Sequence, residues 1–297
     1  MKRREMLKNA AVAALGAAIP WRQIAPGPEA RQRRVLFFTR SAGFEHDVIR
    51  RTGSAWSPAE KAFEEIGRRA GFMVECSKDG RIFDGSLDAY DAFAFYTSGD
   101  LTQSGGDGSP AMTPEGKSRL LAAVEGGKGF LGFHSAADTF HSPAAGEGSE
   151  AKLDPYIAML GGEFLAHGKE QEASLLLTTT QFAGIADLGL AEGLAFTDEW
   201  FTFTNYAADL SVLLVQETAM MKGEAYRRPD YPATWTRLHG KGRVFYTSLG
   251  HRGDIWENPF FQAIARGALE WISGQADAGI RPNMNEVTPQ ARQTKRN

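Results

Sequence analysis

The sequence predicts an α/β fold in which a mostly parallel central sheet carries helices on both faces and the C-terminal half is rich in β-strands. Between residues 34 and 133, short apolar runs alternate with helix-like segments, which is the pattern of a parallel sheet. These runs are apolar at nearly every position, as expected for strands that are covered on both faces. In the second half, strand-like runs follow one another with few helix-like segments between them.

The first half predicts four strands and two helices. Ser57 is followed by a proline and by Glu60, a combination that predicts an N-cap and a capping box for a helix that ends near Ala70. Thr113, also followed by a proline, predicts a second helix that closes at Gly126. Apolar runs predict the strands at residues 34–39, 72–76, 91–97 and 129–133.

The second half predicts five further strands and one long helix. Asn258 and the proline after it predict a helix that ends at Gly274. The sequence holds no internal repeat, so residues 34–274 are predicted to form one domain, followed by a flexible tail at residues 275–297. The strands are predicted at residues 174–180, 199–204, 211–216, 234–238 and 243–248, the last two flanking "HGKG" like a hairpin.

The composition limits the class of ligand. The chain has 297 residues, a formal net charge of -3 and a pI near 6.1, so it has no basic field for a phosphate backbone and no nucleic-acid partner is expected. Cys76 is the only cysteine and lies in an apolar stretch, which excludes an intramolecular disulfide and a thiolate metal cluster. The segments "GGKG" and "HGKG" lack the spacing of a phosphate loop, so no nucleotide is expected. A small neutral or mildly anionic ligand fits best, and the oligomeric state stays open.

Residues 1–30 have the three-part form of an export signal. A charged start with Arg3 and Arg4 precedes roughly a dozen small apolar residues and then a proline. The paired arginines resemble the twin-arginine type of signal. An amphipathic or membrane-anchoring N-terminus is the alternative, but the apolar run is short for a bilayer span. We therefore expect a periplasmic or otherwise exported protein with no stable membrane span once the signal is removed.

Histidines recur at the predicted strand ends. His134 and His251 each follow an apolar strand, and His46 lies in the loop after the first strand. The carboxyl ends of parallel strands meet at one edge of a sheet, where ligands bind. An imidazole can move protons near neutral pH or, when neutral, coordinate a metal. With carboxylates nearby, these histidines could bind Zn²⁺ or a similar divalent ion, although their spacing in the sequence matches no compact metal motif. The alternative is that the histidines have only a structural role.

Further polar and aromatic residues extend the candidate site. Trp256 lies in the polar segment "HRGDIWENP" and is the candidate platform for a sugar ring. Asp47, Asp138 and Asp198 are candidates for orienting the imidazoles. Ser135, at the predicted strand-to-helix turn, is a candidate nucleophile, although "GFHSA" lacks the glycine that follows the serine of a nucleophile elbow. An N-cap for the next helix is the alternative role of this serine.

Six motifs, taken in order over residues 34–274, carry a resemblance to a known family. They are "GFEHD", "GKGFLGFHSAADTF", "MLGGEFLAHG", "TDEWFTF", "PATWTRLHGKGRVFYTSLGH" and "WENPFFQAIARGALEWI". This set resembles the ThuA-like family of trehalose-utilisation proteins, which implies a class I glutamine amidotransferase-like fold of the flavodoxin-like type. True glutamine amidotransferases hold a cysteine where this chain has His134, so glutaminase activity is not expected.

The resemblance implies carbohydrate catabolism, particularly of 3-keto glycosides, and metal binding in some members. A ketone at C3 acidifies the C2 proton, so a base can start elimination while a metal or an imidazole stabilises the enolate. The expected function is that of a lyase, hydrolase or isomerase acting on a carbohydrate. Two alternatives are a non-catalytic sugar-binding protein and a serine hydrolase that uses Ser135 with His251. The candidate catalytic residues are His134, His251 and Glu199; the candidates for substrate binding are His46, Asp47, Ser135, His167 and Trp256; the candidate metal ligands are His46, His134 and His251.

Overall fold

The computed structural model describes residues 31–143, 152–186, 194–276 and 281–295. The described residues from Gln32 onward belong to one unit. The export signal predicted at residues 1–30 lies outside the described ranges. Within those ranges, no helix is both long and apolar enough to cross a lipid bilayer.

The described part of the chain contains eleven strands. Nine of them form one sheet, and the other two, β5 and β8, pair separately. The strands are β1 (Arg33–Phe38), β2 (Phe72–Ser77), β3 (Ala92–Phe95), β4 (Gly129–Phe133), β5 (Glu163–His167), β6 (Gln171–Leu177), β7 (Leu194–Asp198), β8 (Phe201–Thr204), β9 (Ser211–Gln216), β10 (Tyr231–His239) and β11 (Gly242–Thr247).

The order of the large sheet is β2-β1-β3-β4-β11-β10-β9-β6-β7. Its first five strands are parallel, and every neighbouring pair beyond β11 is antiparallel. The order β2-β1-β3-β4-β11 is that of a flavodoxin-like sheet. Because β2 and β3 lie on opposite sides of β1, the loops after β1 and β3 diverge and leave a crevice, which is where ligands bind in such sheets.

Helices cover both faces of the parallel strands. In β1, Val35 and Phe37 belong to one core and Leu36 and Phe38 to the other, as the two-residue period of a strand requires. The helices α1, α4 and α5 pack into the first core, and α2 and α3 pack into the second. The predicted mostly parallel sheet with helices on both faces is confirmed. The helices are α1 (Pro58–Arg69), α2 (Pro114–Glu125), α3 (Pro155–Leu160), α4 (Gly253–Glu257), α5 (Pro259–Ile272) and α6 (Met284–Val287).

The helix starts follow the local signals in the sequence. The Ser57 hydroxyl accepts a hydrogen bond from the Glu60 amide at 3.3 Å, and the Glu60 carboxylate accepts one from the Ser57 amide at 2.9 Å, which forms the predicted capping box. Thr113 and Asn258 cap α2 and α5 with their side chains. Local capping chemistry therefore determines where these three helices begin.

The structure differs from the sequence prediction in two segments whose structure depends on contacts with distant parts of the chain. Strand β8 begins at Phe201 rather than at residue 199, because β7 ends at Asp198 and the two residues between them form the connection. The sequence predicts a flexible tail from residue 275, whereas Met284 and Ala291 are buried. The segment 281–295 contains α6, and the Asn283 side chain forms two hydrogen bonds with the main chain of Val212 in β9.

Candidate functional site

Three histidines from distant parts of the sequence meet beyond the carboxyl ends of the parallel strands. His46 lies in the loop after β1, just before a one-turn 3-10 helix, Asp47–Ile49. His134 follows β4 and His251 follows β11. Their ring centroids are 5.1, 5.2 and 5.3 Å apart. The structure thus brings together the three histidines that the sequence placed at strand ends.

Glu199 completes a cluster of four donors with these histidines. Its Oε2 atom lies 3.5 Å from Nε2 of His134 and 4.0 Å from Nε2 of His251. One donor atom from each of the four side chains lies within 4.8 Å of the others. Nitrogen and oxygen donors at such separations can share one divalent ion. We call His46, His134, Glu199 and His251 the histidine cluster.

The orientation of His134 is fixed by its main chain and by a carbonyl group. Its φ of 42° lies in the left-handed region, which is rare for a residue with a side chain and common at functional sites. Nδ1 lies 2.8 Å from the carbonyl oxygen of Ser248, so Nδ1 carries the proton and donates it. Nε2 keeps a lone pair, is buried and has no hydrogen-bond partner. A buried nitrogen acceptor without a hydrogen-bond partner indicates a position where a bound group can supply the missing partner.

Burial and neighbouring charges shift the pKa values of three groups in the histidine cluster, namely His46, His251 and Glu199. Desolvation, followed by the neighbouring imidazoles, lowers the pKa of His46 to about 2. Desolvation and the nearby His134 also lower the pKa of His251. Burial alone would raise the pKa of Glu199, but the hydrogen bond and positive charge that His134 would supply when protonated, followed by the charges of His251 and His167, outweigh burial and lower it. At neutral pH, His46 and His251 are therefore neutral and Glu199 is ionised, as metal coordination requires.

His167 lies beside the histidine cluster, on the side that is more exposed to solvent. It ends β5, and its Nδ1 atom lies 3.0 Å from Oε1 of Glu199. Its side chain is 45% exposed, against 21% for His251. The Tyr226 hydroxyl donates to the carbonyl of Trp200 and accepts from the amide of Gly168, each at 2.8 Å. This tyrosine therefore ties together the two segments that carry His167 and Glu199.

Asp198 supports His251 through the main chain rather than through an imidazole. Its two carboxylate oxygens accept from the amides of Gly250 and Arg252, at 2.8 and 3.0 Å. Burial raises the pKa of Asp198 to about 6. Tyr96, just beyond β3, donates its hydroxyl to the carbonyl of Gly250 at 3.2 Å and holds the same loop. Tyr96 was not predicted from the sequence, where a polar aromatic residue at the end of a strand was the only signal for it.

The prediction that Trp256 is a sugar platform is wrong. Its side chain is only 1% exposed and packs against Phe133 and Phe261, with ring centroids 5.4 and 4.9 Å away. Its indole nitrogen donates to the carbonyl of Gly250 at 2.9 Å. The polar neighbours of Trp256 in the sequence lie on the outer side of the short helix α4, whereas the indole points into the core. A buried indole of this kind cannot stack on a substrate.

Asp47 and Asp138 do not orient the clustered imidazoles as the sequence predicted. The Asp47 side chain is 88% exposed and forms an ion pair with Arg50. Asp138 instead accepts a hydrogen bond from Nε2 of His141 at 2.6 Å, and Nδ1 of His141 lies 3.3 Å from Glu163. The hydrogen bond to Asp138, with a further contribution from Glu163, raises the pKa of His141. These carboxylates therefore serve other partners.

Ser135 takes neither of its predicted roles in the described residues. It lies inside a 3-10 helix, His134–Asp138, whose N-cap is Phe133, so it is not the N-cap. Its hydroxyl oxygen is buried without a hydrogen-bond partner. A nucleophilic serine needs a base within hydrogen-bond distance. The described residues provide no such pair, so they give the serine hydrolase alternative no support.

The fold and the site together define a class of protein: a flavodoxin-like α/β protein with a cluster of histidines and a carboxylate at the carboxyl edge of its sheet. The family model for ThuA, described as trehalose utilisation, matches residues 34–272. This chain therefore belongs to the ThuA family, and the resemblance noted from its motifs is confirmed.

Two solved structures share the fold of this chain. A protein described as ThuA-like from Parabacteroides merdae is 15% identical, with a TM-score of 0.59 over 82% of this chain and 91% of that one. Another, from Bacteroides uniformis, is 16% identical, with a TM-score of 0.55 over 87% of this chain and 98% of that one. At these identities the likeness concerns the fold alone. No curated protein matches the sequence significantly.

Proposed function

We propose that this ThuA-family chain is a carbohydrate-acting enzyme whose histidine cluster holds a divalent metal ion. The observation that carries the proposal is the buried, unpartnered Nε2 atom of His134, which faces Glu199 at 3.5 Å. Nδ1 of His46 is also buried without a hydrogen-bond partner. Buried polar atoms without partners are unfavourable, so a bound group that satisfies them stabilises the site.

The donor set fits such an ion. Three imidazoles and one carboxylate form a mixed set of nitrogen and oxygen ligands, which suits Zn²⁺ and similar divalent ions. The Ser248 carbonyl fixes the tautomer of His134, as second partners of metal-binding histidines commonly do. When bound, the ion would supply Lewis-acid polarisation of a substrate carbonyl.

A glycoside that carries a ketone at C3 suits this site. The ketone acidifies the C2 proton, and a base at the site removes that proton. The electron pair of the C–H bond then forms the C1=C2 double bond, the glycosidic C1–O bond breaks with its electron pair on the leaving oxygen, and that oxygen takes up a proton from water, to which the base returns the C2 proton. The description of the family as trehalose utilisation supports a disaccharide as the substrate.

We assign the removal of the C2 proton to Nε2 of His167. Nδ1 lies 3.0 Å from the Gly168 carbonyl, to which it donates its proton, and also 3.0 Å from Oε1 of Glu199, so Nε2 keeps its lone pair. Nearly half of the His167 side chain is exposed, so a substrate can reach it. The Gly168 carbonyl and the nearby Glu199 carboxylate fix the tautomer of this base, as the third group of a catalytic triad does for its histidine.

Turnover of a panel of 3-keto disaccharides, compared with the unoxidised parent sugars, tests this proposal. We expect conversion of the 3-keto sugars only, loss of activity with a chelator and recovery with an added divalent ion. His167→Ala should lower kcat by about 100-fold or more. His239→Ala should not, because His239 lies in the β10–β11 hairpin at the opposite edge of the sheet. Failure of the metal-loaded protein to convert any 3-keto sugar, or full activity of His167→Ala, would contradict the proposal.

The N-terminal sequence supports a separate proposal, that the chain is exported to the periplasm. Arg3 and Arg4 precede the short apolar run of residues 1–30. Fractionation of cells that express the full chain tests this. Replacing both arginines by lysine should retain the protein in the cytoplasm, and equal distribution of the two forms would contradict export by this route.

A further inference from the structure

A cleft beside the histidine cluster has no role in the chemistry described so far. Its volume is about 500 Å³, and its lining includes one member of the cluster, His251. A ligand in this cleft would therefore lie next to the proposed metal site. The lining residues that bear on its ligand are Phe44, Glu170, His251, Arg252 and Asp254, and the candidate substrate-binding residue Asp47 lines the cleft as well.

Phe44 presents an aromatic ring to this cleft. The residue is 67% exposed, and its ring stands edge-on to His46 at a centroid distance of 5.0 Å. Its main chain is held at the end of β3, because the Ser98 hydroxyl donates to the Phe44 carbonyl at 2.7 Å and the Gly43 amide donates to the Ser98 carbonyl at 3.1 Å. Phe44 is thus an exposed ring on a well-anchored segment, a suitable stacking surface.

The charged groups of the cleft favour a neutral ligand. Arg252 donates Nε and Nη2 to Asp254, each at 3.0 Å, and Nη1 to Glu170 at 2.9 Å. Among the described residues that line the cleft, Arg252 is the only lysine or arginine, and its guanidinium group is paired with the carboxylates of Asp254 and Glu170. A phosphate or carboxylate ligand would therefore meet acidic side chains without a free cation to bind it.

We propose that this cleft binds one neutral, unphosphorylated sugar ring, with Phe44 as its stacking platform and Glu170 and Asp254 as acceptors for its hydroxyl groups. The C–H face of a sugar ring can cover an aromatic face, while hydroxyl groups donate strong hydrogen bonds to carboxylates. The inference rests on the proposed function and deepens it, because the ring in the cleft is the non-reacting unit of the glycoside.

Calorimetric titration of the full chain with trehalose and with trehalose 6-phosphate tests this inference. The protein is first treated with a chelator, so that binding is measured without the metal or turnover. We expect trehalose to bind about tenfold or more tightly than its phosphate ester, and Phe44→Ala to weaken trehalose binding by about tenfold or more. Phe44→Tyr, which keeps the ring, should bind like the wild type. Leu238→Ala, an exposed apolar residue of the β10–β11 hairpin, is the control and should leave binding unchanged.

The outcomes separate this inference from the proposed function. Equal trehalose binding by the wild type and Phe44→Ala, equal or tighter binding of the phosphate ester, or no trehalose binding by the wild type overturns the inference. If trehalose binds through Phe44 but no 3-keto sugar is converted, the proposed function fails and the cleft assignment stands. If 3-keto sugars are converted while Phe44→Ala binds like the wild type, the cleft assignment fails and the proposed function stands.

Discussion

Replacing Trp256 by alanine tests whether the core supports the loop that carries His251. The indole is 1% exposed and packs against Phe37, Phe133 and Phe261, with ring centroids 6.1, 5.4 and 4.9 Å away. Removal of a core tryptophan lowers the free energy of unfolding by about 3–5 kcal/mol. About 0.5–1.5 kcal/mol of that loss comes from the hydrogen bond to the Gly250 carbonyl.

A second substitution and a matched control make this prediction specific. Trp256→Phe keeps much of the aromatic packing and loses the hydrogen bond, so it should destabilise by about 1–2 kcal/mol. Trp56→Ala removes a tryptophan that is 38% exposed, and should change the free energy of unfolding by less than about 1 kcal/mol. Urea denaturation followed by circular dichroism measures all three variants. A change below about 1 kcal/mol for Trp256→Ala, together with weaker sugar binding, would refute the structural role and restore that of a platform.

Three further substitutions test the support of the His251 loop, the ion pair of His141 and the packing of α5. Asp198→Asn leaves one side-chain oxygen to accept from the amides of Gly250 and Arg252, where the carboxylate offers two. The His251 loop should therefore loosen, and the affinity for zinc should fall by about tenfold or more in a titration. Unchanged zinc affinity would contradict this prediction. The folded-state pKa of His141 is raised, so its stabilising effect is full below a pH of about 6.5 and is lost as the pH rises through the folded-state pKa. His141→Ala should therefore destabilise by less than about 1 kcal/mol, mainly at acidic pH, and a loss independent of pH across a series of urea titrations would disagree. Gly267→Ala should lower the free energy of unfolding by about 1–3 kcal/mol, because the new Cβ would overlap the Ala183 carbonyl oxygen. The control Gly106→Ala places its Cβ in open space and should leave the free energy of unfolding almost unchanged in the same assay.

The sequence predicts the parallel half of the sheet well because its signals are local. Continuous apolar runs correspond to β1, β2, β3 and β4, and capping residues such as Ser57 mark the helix starts. Strands β5 and β7 were not predicted. They are short and lack a continuous apolar run, and they form strands because they pair with the antiparallel neighbours β8 and β6.

The candidate site was predictable in part for a similar reason. Parallel topology places the ends of β1, β4 and β11 at one edge, so histidines after those strands were expected to approach each other. Sequence alone could not predict the left-handed backbone of His134 or the direction of its Nε2 atom, which depend on the carbonyl of Ser248. It also could not show that the Trp256 indole points into the core, because local composition does not determine which side of a one-turn helix is buried. Glu170 gave no signal, since it lies among ordinary surface charges in the sequence.

The metal content of the purified full chain tests the central claim most directly. Wild type, His134→Ala, Glu199→Gln and the control His239→Ala would be incubated with zinc, dialysed and analysed by mass spectrometry for bound metal. We expect about one divalent ion per chain in the wild type and the control, little or none in His134→Ala and a reduced content in Glu199→Gln. Circular dichroism should be the same for all four proteins. A wild type that retains no ion, or a correctly folded His134→Ala that retains as much as the wild type, would contradict the claim that the histidine cluster is a metal site.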